Sequence, residues 1–278
     1  MRARIKFAKY DTMRFIGHLD VMRYFQRMIR RSSLPVKYSE GYHPHQLLSF
    51  AQPLGLGITS DGEYVDTEFE TELDTEFIKD ELNKAATRGY SIIEVTRLHD
   101  RENNRKLVTS MSLINRSVYL LILKDKESMD YAKVKVGLDK SFPEFLNRES
   151  IKIIKKTKKS EKEIDLKGYI YEFHDYSEGI PKLLYSLPEA NIVVNRENAS
   201  MNSAHAPEFD NGIRYIVSLS AGSEMNIPPE RFLTNALNHY NESADEGNTL
   251  IYEDFRIHRM ELMGGELNES EPLSCLTQ

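Results

Sequence analysis

An α+β fold of two tandem ferredoxin-like (β-α-β-β-α-β) halves with a disordered acidic tail is what the sequence predicts. Three observations lead there. Apolar positions in residues 1–99 switch between a period of two and a period of 3.6, in the order strand, helix, strand, strand, helix, strand. Residues 106–263 repeat that theme less regularly. Residues 264–278 are polar and acidic, which leaves little to anchor them.

The elements follow in order. RARIKFAKY alternates and reads as the first strand. Leu19, Met22, Phe25 and Ile29 recur at helical spacing and predict a helix over 18–32, which Pro35 ends. A turn-rich loop at 39–46 and a short strand at 47–51 come next. Asp61-Gly62 is a hairpin signal, with 63–70 as the returning strand. Asp74 caps a helix running to about residue 86, whose apolar face is Phe77, Ile78, Leu82 and Ala85; residues 90–98 close the first half as a strand. DRENNR (100–105) reads as a linker. The second half then gives a strand at 118–123 and a helix within 129–147, against which Gly137 and Pro143 argue. Strands at 151–154 and 166–173 surround a lysine-rich turn, and 195–211 is a long loop. A strand at 213–219, a helix at 228–240 and a strand at 251–263 finish it.

The chain has 278 residues and 40% hydrophobic content, with no apolar run approaching the ~20 residues needed to span a bilayer. MRARIKFAKY lacks the apolar core of a signal peptide, so a cytoplasmic protein with no membrane partner is expected. Cys275 is the lone cysteine, which excludes internal disulfides, a cysteine-based zinc site and a resident iron–sulfur cluster held by three thiolates. No cofactor is expected. The net charge of −6 argues against bulk nucleic-acid binding, but it is unevenly spread. Residues 1–50 carry ten Lys/Arg against three Asp/Glu, and the remainder carries 27 against 40. Fields are felt within about 8–10 Å, so the local excess matters more than the sum.

The basic excess falls where unusual residue types crowd together, in 14–66. Arg23, Arg27 and Arg30 recur at i, i+4 and i+7 on one helix face, with Arg31 beside them and only Asp20 near enough to neutralise one. A solvated face is the ordinary reading of such a row. Against it stands the all-arginine composition, since the planar guanidinium fork matches phosphate oxygens. His18, His43 and His45 are expected to converge in one cleft beside that helix. With Asp20 they could bind a metal, but His-x-His is a weak motif and no metal is predicted. Gly41 supplies a turn in Ser39-Glu40-Gly41-Tyr42, and no nucleotide-binding glycine motif is present. Glu63 and Asp66, three apart on a strand, face opposite ways and do not form an acid–base pair. No catalytic residue is identified. The lysine run IKIIKKTKKSEK (151–162) is by default a solvated hairpin tip, or an extension of a polyanion path. Candidate binding residues are therefore Arg14, His18, Arg23, Arg27, Arg30, Arg31, Tyr38, Ser39, His43 and His45, with Lys155, Lys156, Lys158 and Lys159 from the run.

The same segment carries a family resemblance. Phe15, His18, Leu19, Asp20, Arg23, Arg27, Arg30, Arg31, Leu34, Pro35, Tyr38, Ser39, Gly41, Pro44, His45, Ser49, Phe50, Ala51, Pro53, Leu54, Gly57, Ser60, Glu63, Tyr64 and Asp66 are the matching positions. KKSEKEIDLKGYI (158–170) and GSEMNIPPE (222–230) extend the match more weakly. In these the chain resembles the radical SAM-linked family, a domain of unknown function found alone or fused behind radical SAM proteins. The resemblance implies a radical SAM protein, in another chain, as partner. It also implies RNA or ribosome-associated components, because members tend to be encoded near ribosomal and RNA-processing genes. The expected function is an accessory module of a radical SAM enzyme that binds RNA or an RNA-associated substrate. Two other readings stay open: a metal-dependent or acid–base enzyme using His18, Asp20, His43 and His45, and a protein-docking adaptor.

Overall fold

The computed structural model describes residues 1–99, 109–127, 129–156, 161–176, 211–266 and 270–277. Among these, five α-helices accompany a mixed nine-stranded sheet and a separate two-stranded hairpin, the expected α+β class. The linker at 100–105 and the loop at 195–211 lie outside the described residues, Asn211 excepted.

The first half comprises β1 (Arg2–Lys9), α1 (His18–Ser32), β2 (Leu48–Phe50), β3 (Thr59–Glu68), α2 (Thr75–Ala85) and β4 (Tyr90–Leu98). Alternation along β1 sends Ala3, Ile5 and Phe7 into a core with Val21, Phe25, Met28 and Ile29 of α1 and Ile78 and Leu82 of α2. Phe25 anchors it, its ring 4.4 Å from Phe7 and 5.4 Å from Phe50. The Asp74 carboxylate caps α2 by accepting from the Phe77 amide at 3.0 Å, as expected. Phe77 itself is half exposed rather than part of the apolar face.

The second half comprises β5 (Ile114–Leu123), entered through the short α3 (Ser110–Leu113), then α4 (Tyr131–Leu146), β6 (Lys152–Lys156), β7 (Glu161–Asp165), β8 (Ile170–Asp175), β9 (Arg214–Ser220), α5 (Pro229–Asn241) and β10 (Phe255–Gly264). β6 and β7 pair only with each other. The strand expected over 166–173 starts later, as β8 from Ile170 in the main sheet, and the stretch read before it as a lysine-rich turn holds β7, which ends at Asp165. α4 tolerates Gly137 because α5 packs against it. A Cβ at 137 would lie 2.8 Å from the Tyr240 ring. Phe142, Phe145, Phe232 and Leu237 fill the core between these helices and the sheet.

The strand order is β4-β1-β3-β10-β5-β9-β8, with β2 on β3 and a two-residue β11 (Glu271–Pro272) on β10. In each half the first strand lies between the last and the next to last. The two halves meet where β10 runs parallel to β3, His258 beside Thr59 and Arg259 beside Ser60.

That seam corrects the reading of Asp61-Gly62 as a hairpin turn. β3 runs straight through both residues. Between Glu63 and Ser60 it takes three residues where β1 takes two, from Phe7 to Lys9, which is a β-bulge. Gly62 is required by the neighbouring strand: a Cβ there would lie 2.5 Å from the Glu261 Cα and 2.9 Å from the Met260 carbonyl oxygen. Gly62→Ala is expected to cost about 1–3 kcal/mol by forcing the seam apart. Urea denaturation of the variant checks this, and an unchanged midpoint would contradict it.

The expectation of a disordered tail is also corrected. In residues 270–277, Leu273 is fully buried beside Tyr64 and Leu262. The Arg4 guanidinium donates to the carbonyls of Leu273 (2.8 Å) and Leu276 (2.6 Å). The acidic residues hid two leucines that complete an apolar cluster and a backbone that an inner arginine holds.

Candidate nucleic-acid interface

α1 divides cleanly. Val21, Phe25, Met28 and Ile29 are buried, while Arg23, Arg27, Arg30 and Arg31 are exposed on the other side. The row is barely neutralised. Arg23 reaches Asp20 at 3.4 Å with both side chains largely in water, a pair that contributes little. Arg30 donates to the Gln26 carbonyl at 3.1 Å and Arg31 to the Ala85 carbonyl at 2.9 Å, so neither loses its charge. Both stand in the last turn, where the helix dipole favours cations.

The loop after α1 folds back as an irregular hairpin. Lys37 and Leu47 face each other through a backbone bond of 3.1 Å, and Tyr38 bridges to Gln46. The Ser39 amide donates to the His45 carbonyl at 2.8 Å. The Ser39 hydroxyl lies 2.8 Å from His45 Nδ1 and accepts from the His45 amide at 3.1 Å. Gly41 turns the tip with φ +111°, a conformation that other residues resist. Tyr42 and His43 project from that tip into solvent.

Arg30 and Gln26 of α1 face Tyr38, Pro44, His45 and Gln46 across a hollow of about 160 Å³. On the far side of His45 lies a second hollow of about 200 Å³, lined by Arg2, Leu48, Ser49, Thr67 and Thr109 among others. The structure thus brings Arg30, Tyr38, Ser39 and His45 together. It does not place His18 with them. His18 opens α1 and Arg30 nearly closes it, about 18 Å apart along the axis at 1.5 Å per residue. No group of three or more His, Cys, Asp or Glu is placed to hold a metal ion among the described residues. Arg14 lies over the Phe15 ring, 4.5 Å from its centroid, near His18 in sequence. Lys155 and Lys156 lie on β6, and Lys158 and Lys159 fall outside the described residues.

His18 stands edge-on to Phe50 at 5.6 Å. Burial, with the nearby Lys9 ammonium, holds its pKa below the usual 6.5. Between the folded value and 6.5 the unfolded chain binds more protons, so this group adds stability as pH rises through that window. An NMR titration should give a His18 midpoint below 6.5, and His18→Gln should remove that part of the pH dependence. A midpoint above 6.5 would contradict the placement.

Sequence reasoning missed a set of buried charges along the β3–β10 seam. On the α1 side, Arg259 Nε lies 3.1 Å from Glu63, which also accepts from Ser60 Oγ at 2.6 Å. Burial raises the Glu63 pKa, while Arg259 and Ser60 oppose that shift; burial also lowers the pKa of Lys9, whose ammonium donates to the Ile16 carbonyl at 3.0 Å. On the other face Lys6 is paired with Glu261, which accepts from the Tyr64 hydroxyl at 2.6 Å. Arg4 holds both oxygens of Asp66, at 2.9 and 3.3 Å, and Asp66 also accepts from the Ser110 amide and hydroxyl. Glu63 and Asp66 therefore serve separate partners. The available signal was the charge match between Arg4 on the first strand and Asp66 on the third.

An exposed basic helix and aromatic loop, mounted on a mixed α+β sheet with a charged seam inside, is the class of protein that the fold and site define. The chain belongs to the family described as an uncharacterized protein conserved in bacteria (DUF2344), whose model matches residues 2–204. No curated protein matches the chain. No described helix is long and apolar enough to cross a membrane.

Proposed function

We propose that this chain binds RNA, or an RNA-associated substrate, through the polar face of α1 and the loop packed beside it. The observation that carries this reading is the row of exposed, nearly unneutralised arginines ending at a hollow walled by Arg30, Tyr38 and His45. Guanidinium groups supply phosphate contacts, and the aromatic rings beside them supply stacking surfaces. The radical SAM partner rests on the sequence resemblance in 15–66. With one cysteine in the chain, that chemistry belongs to a second protein and this chain acts as its accessory.

A docking role has an observation of its own. At the opposite end of α1, Phe15, Leu19 and Leu56 are each exposed by 62–67%, and the Gly57 amide bonds the Arg14 carbonyl at 2.8 Å, tying the two loops together. Such a patch suits a protein contact, while the arginine row suits RNA. The experiment is in-cell crosslinking of the tagged chain followed by denaturing purification. Crosslinked RNA mapping to the 23–46 segment supports the reading. Crosslinks to protein alone transfer the arginine row to the adaptor role.

A further inference from the structure

Resting on the RNA reading above, we propose that the ligand is a single strand whose unpaired bases stack on Tyr42 and enter the hollow behind Tyr38. Three observations carry this. Tyr42 is fully exposed at the tip of a loop whose Gly41 backbone and Ser39–His45 bonds fix its shape. A large aromatic held in water on a structured tip is a stacking platform, and every base has a face to offer it. Next, Gln46 lines the hollow at only 5% exposure, and its Oε1 has no hydrogen-bond partner. Its Nε2 reaches the Tyr38 hydroxyl at 3.4 Å, a long contact. Whichever way the amide is turned, one end stays unsatisfied, and buried polar groups rarely remain so. Finally, the second hollow beyond His45 repeats the pattern: Thr67 is buried there and its Oγ1 also has no partner.

Two adjoining hollows, each with an unmet polar group and separated by an imidazole, fit flat groups with hydrogen-bonding edges. A nucleobase has both properties, and it offers them only when unpaired. Duplex RNA hides its base edges in the stack and presents mainly phosphates and 2′-hydroxyls. The arginine row on α1 then tracks the phosphates of the same strand. Tyr38 lines the hollow with its ring half exposed, so a base entering it lies against that ring, beside Gln46.

The test is fluorescence anisotropy with a short labelled RNA, free or annealed to its complement, and with the same strand carrying abasic sites. Tyr42→Ala is the main variant, since a fully exposed side chain leaves folding untouched; Tyr38→Ala is the second. Single-strand affinity should fall roughly 5- to 100-fold in each variant and with the abasic strand, the effect of losing one stacked base. The salt slope of the variants should stay that of the wild type. Duplex binding at the strength of the single strand, or unchanged affinity in both variants and with abasic RNA, overturns the inference while leaving the RNA reading in place. Absence of salt-sensitive binding to any form overturns both.

Discussion

Glu261→Ala should destabilise the protein by about 3–5 kcal/mol, the usual cost of stranding a buried charge. Glu261 is fully buried and holds two groups at once, the Lys6 ammonium and the Tyr64 hydroxyl. Its loss leaves Lys6, only 1% exposed, without a counter-charge, and Tyr64 without an acceptor. Glu261 also stands at the β3–β10 seam, against Gly62, so the damage falls where the two halves join. Lys6→Met combined with Glu261→Leu should recover much of that loss, because a buried ion pair replaced by apolar groups of similar size is often neutral or stabilising. Urea denaturation of the single and double variants measures both. A loss under about 1 kcal/mol in Glu261→Ala would mean that the seam does not depend on this pair.

Replacing Arg23, Arg27 and Arg30 together with alanine should abolish most RNA binding at moderate salt while leaving the fold intact. Each phosphate contact on a single strand contributes about −0.7 to the log–log slope of affinity against salt, so three losses should flatten it by about 2. Stability should change by about 1 kcal/mol or less. Among the described residues the row's one ion pair, Arg23 with Asp20, is mostly in water, and Arg30 holds a carbonyl. Anisotropy across a salt series reports the first effect and thermal unfolding the second. A variant that keeps the wild-type slope would remove the arginine row from the interface.

The helices and the arginine row were legible in the sequence because they rest on local periodicity. Phe25 and Ile29 face the core and Arg23 and Arg27 face water for one reason, the 3.6-residue turn. Gly62 was misread because its requirement comes from β10, nearly 200 residues further along; a local rule for Asp-Gly cannot see a strand that arrives from the other half. The burial of Arg4 and Lys6 escaped the sequence for a similar reason. Their partners Asp66 and Glu261 come from other strands, and Glu261 stands 255 residues beyond Lys6. The tail was misjudged on composition, although Leu273 and Leu276 carry its anchoring. Within the candidate site, Arg30, Tyr38 and His45 share a hollow because the 37–47 loop doubles back beside the end of α1. His18 stands apart, since fifteen helical residues keep the two ends of α1 separated.

The most direct measurement of the central claim is fluorescence anisotropy of the wild-type chain with short single-stranded RNA across a salt series. Binding should weaken with a log–log slope of about −2 or steeper, the contribution of three arginine–phosphate contacts. An absence of salt-sensitive binding to every RNA tested would contradict the account and make the exposed face of α1 a protein-docking surface.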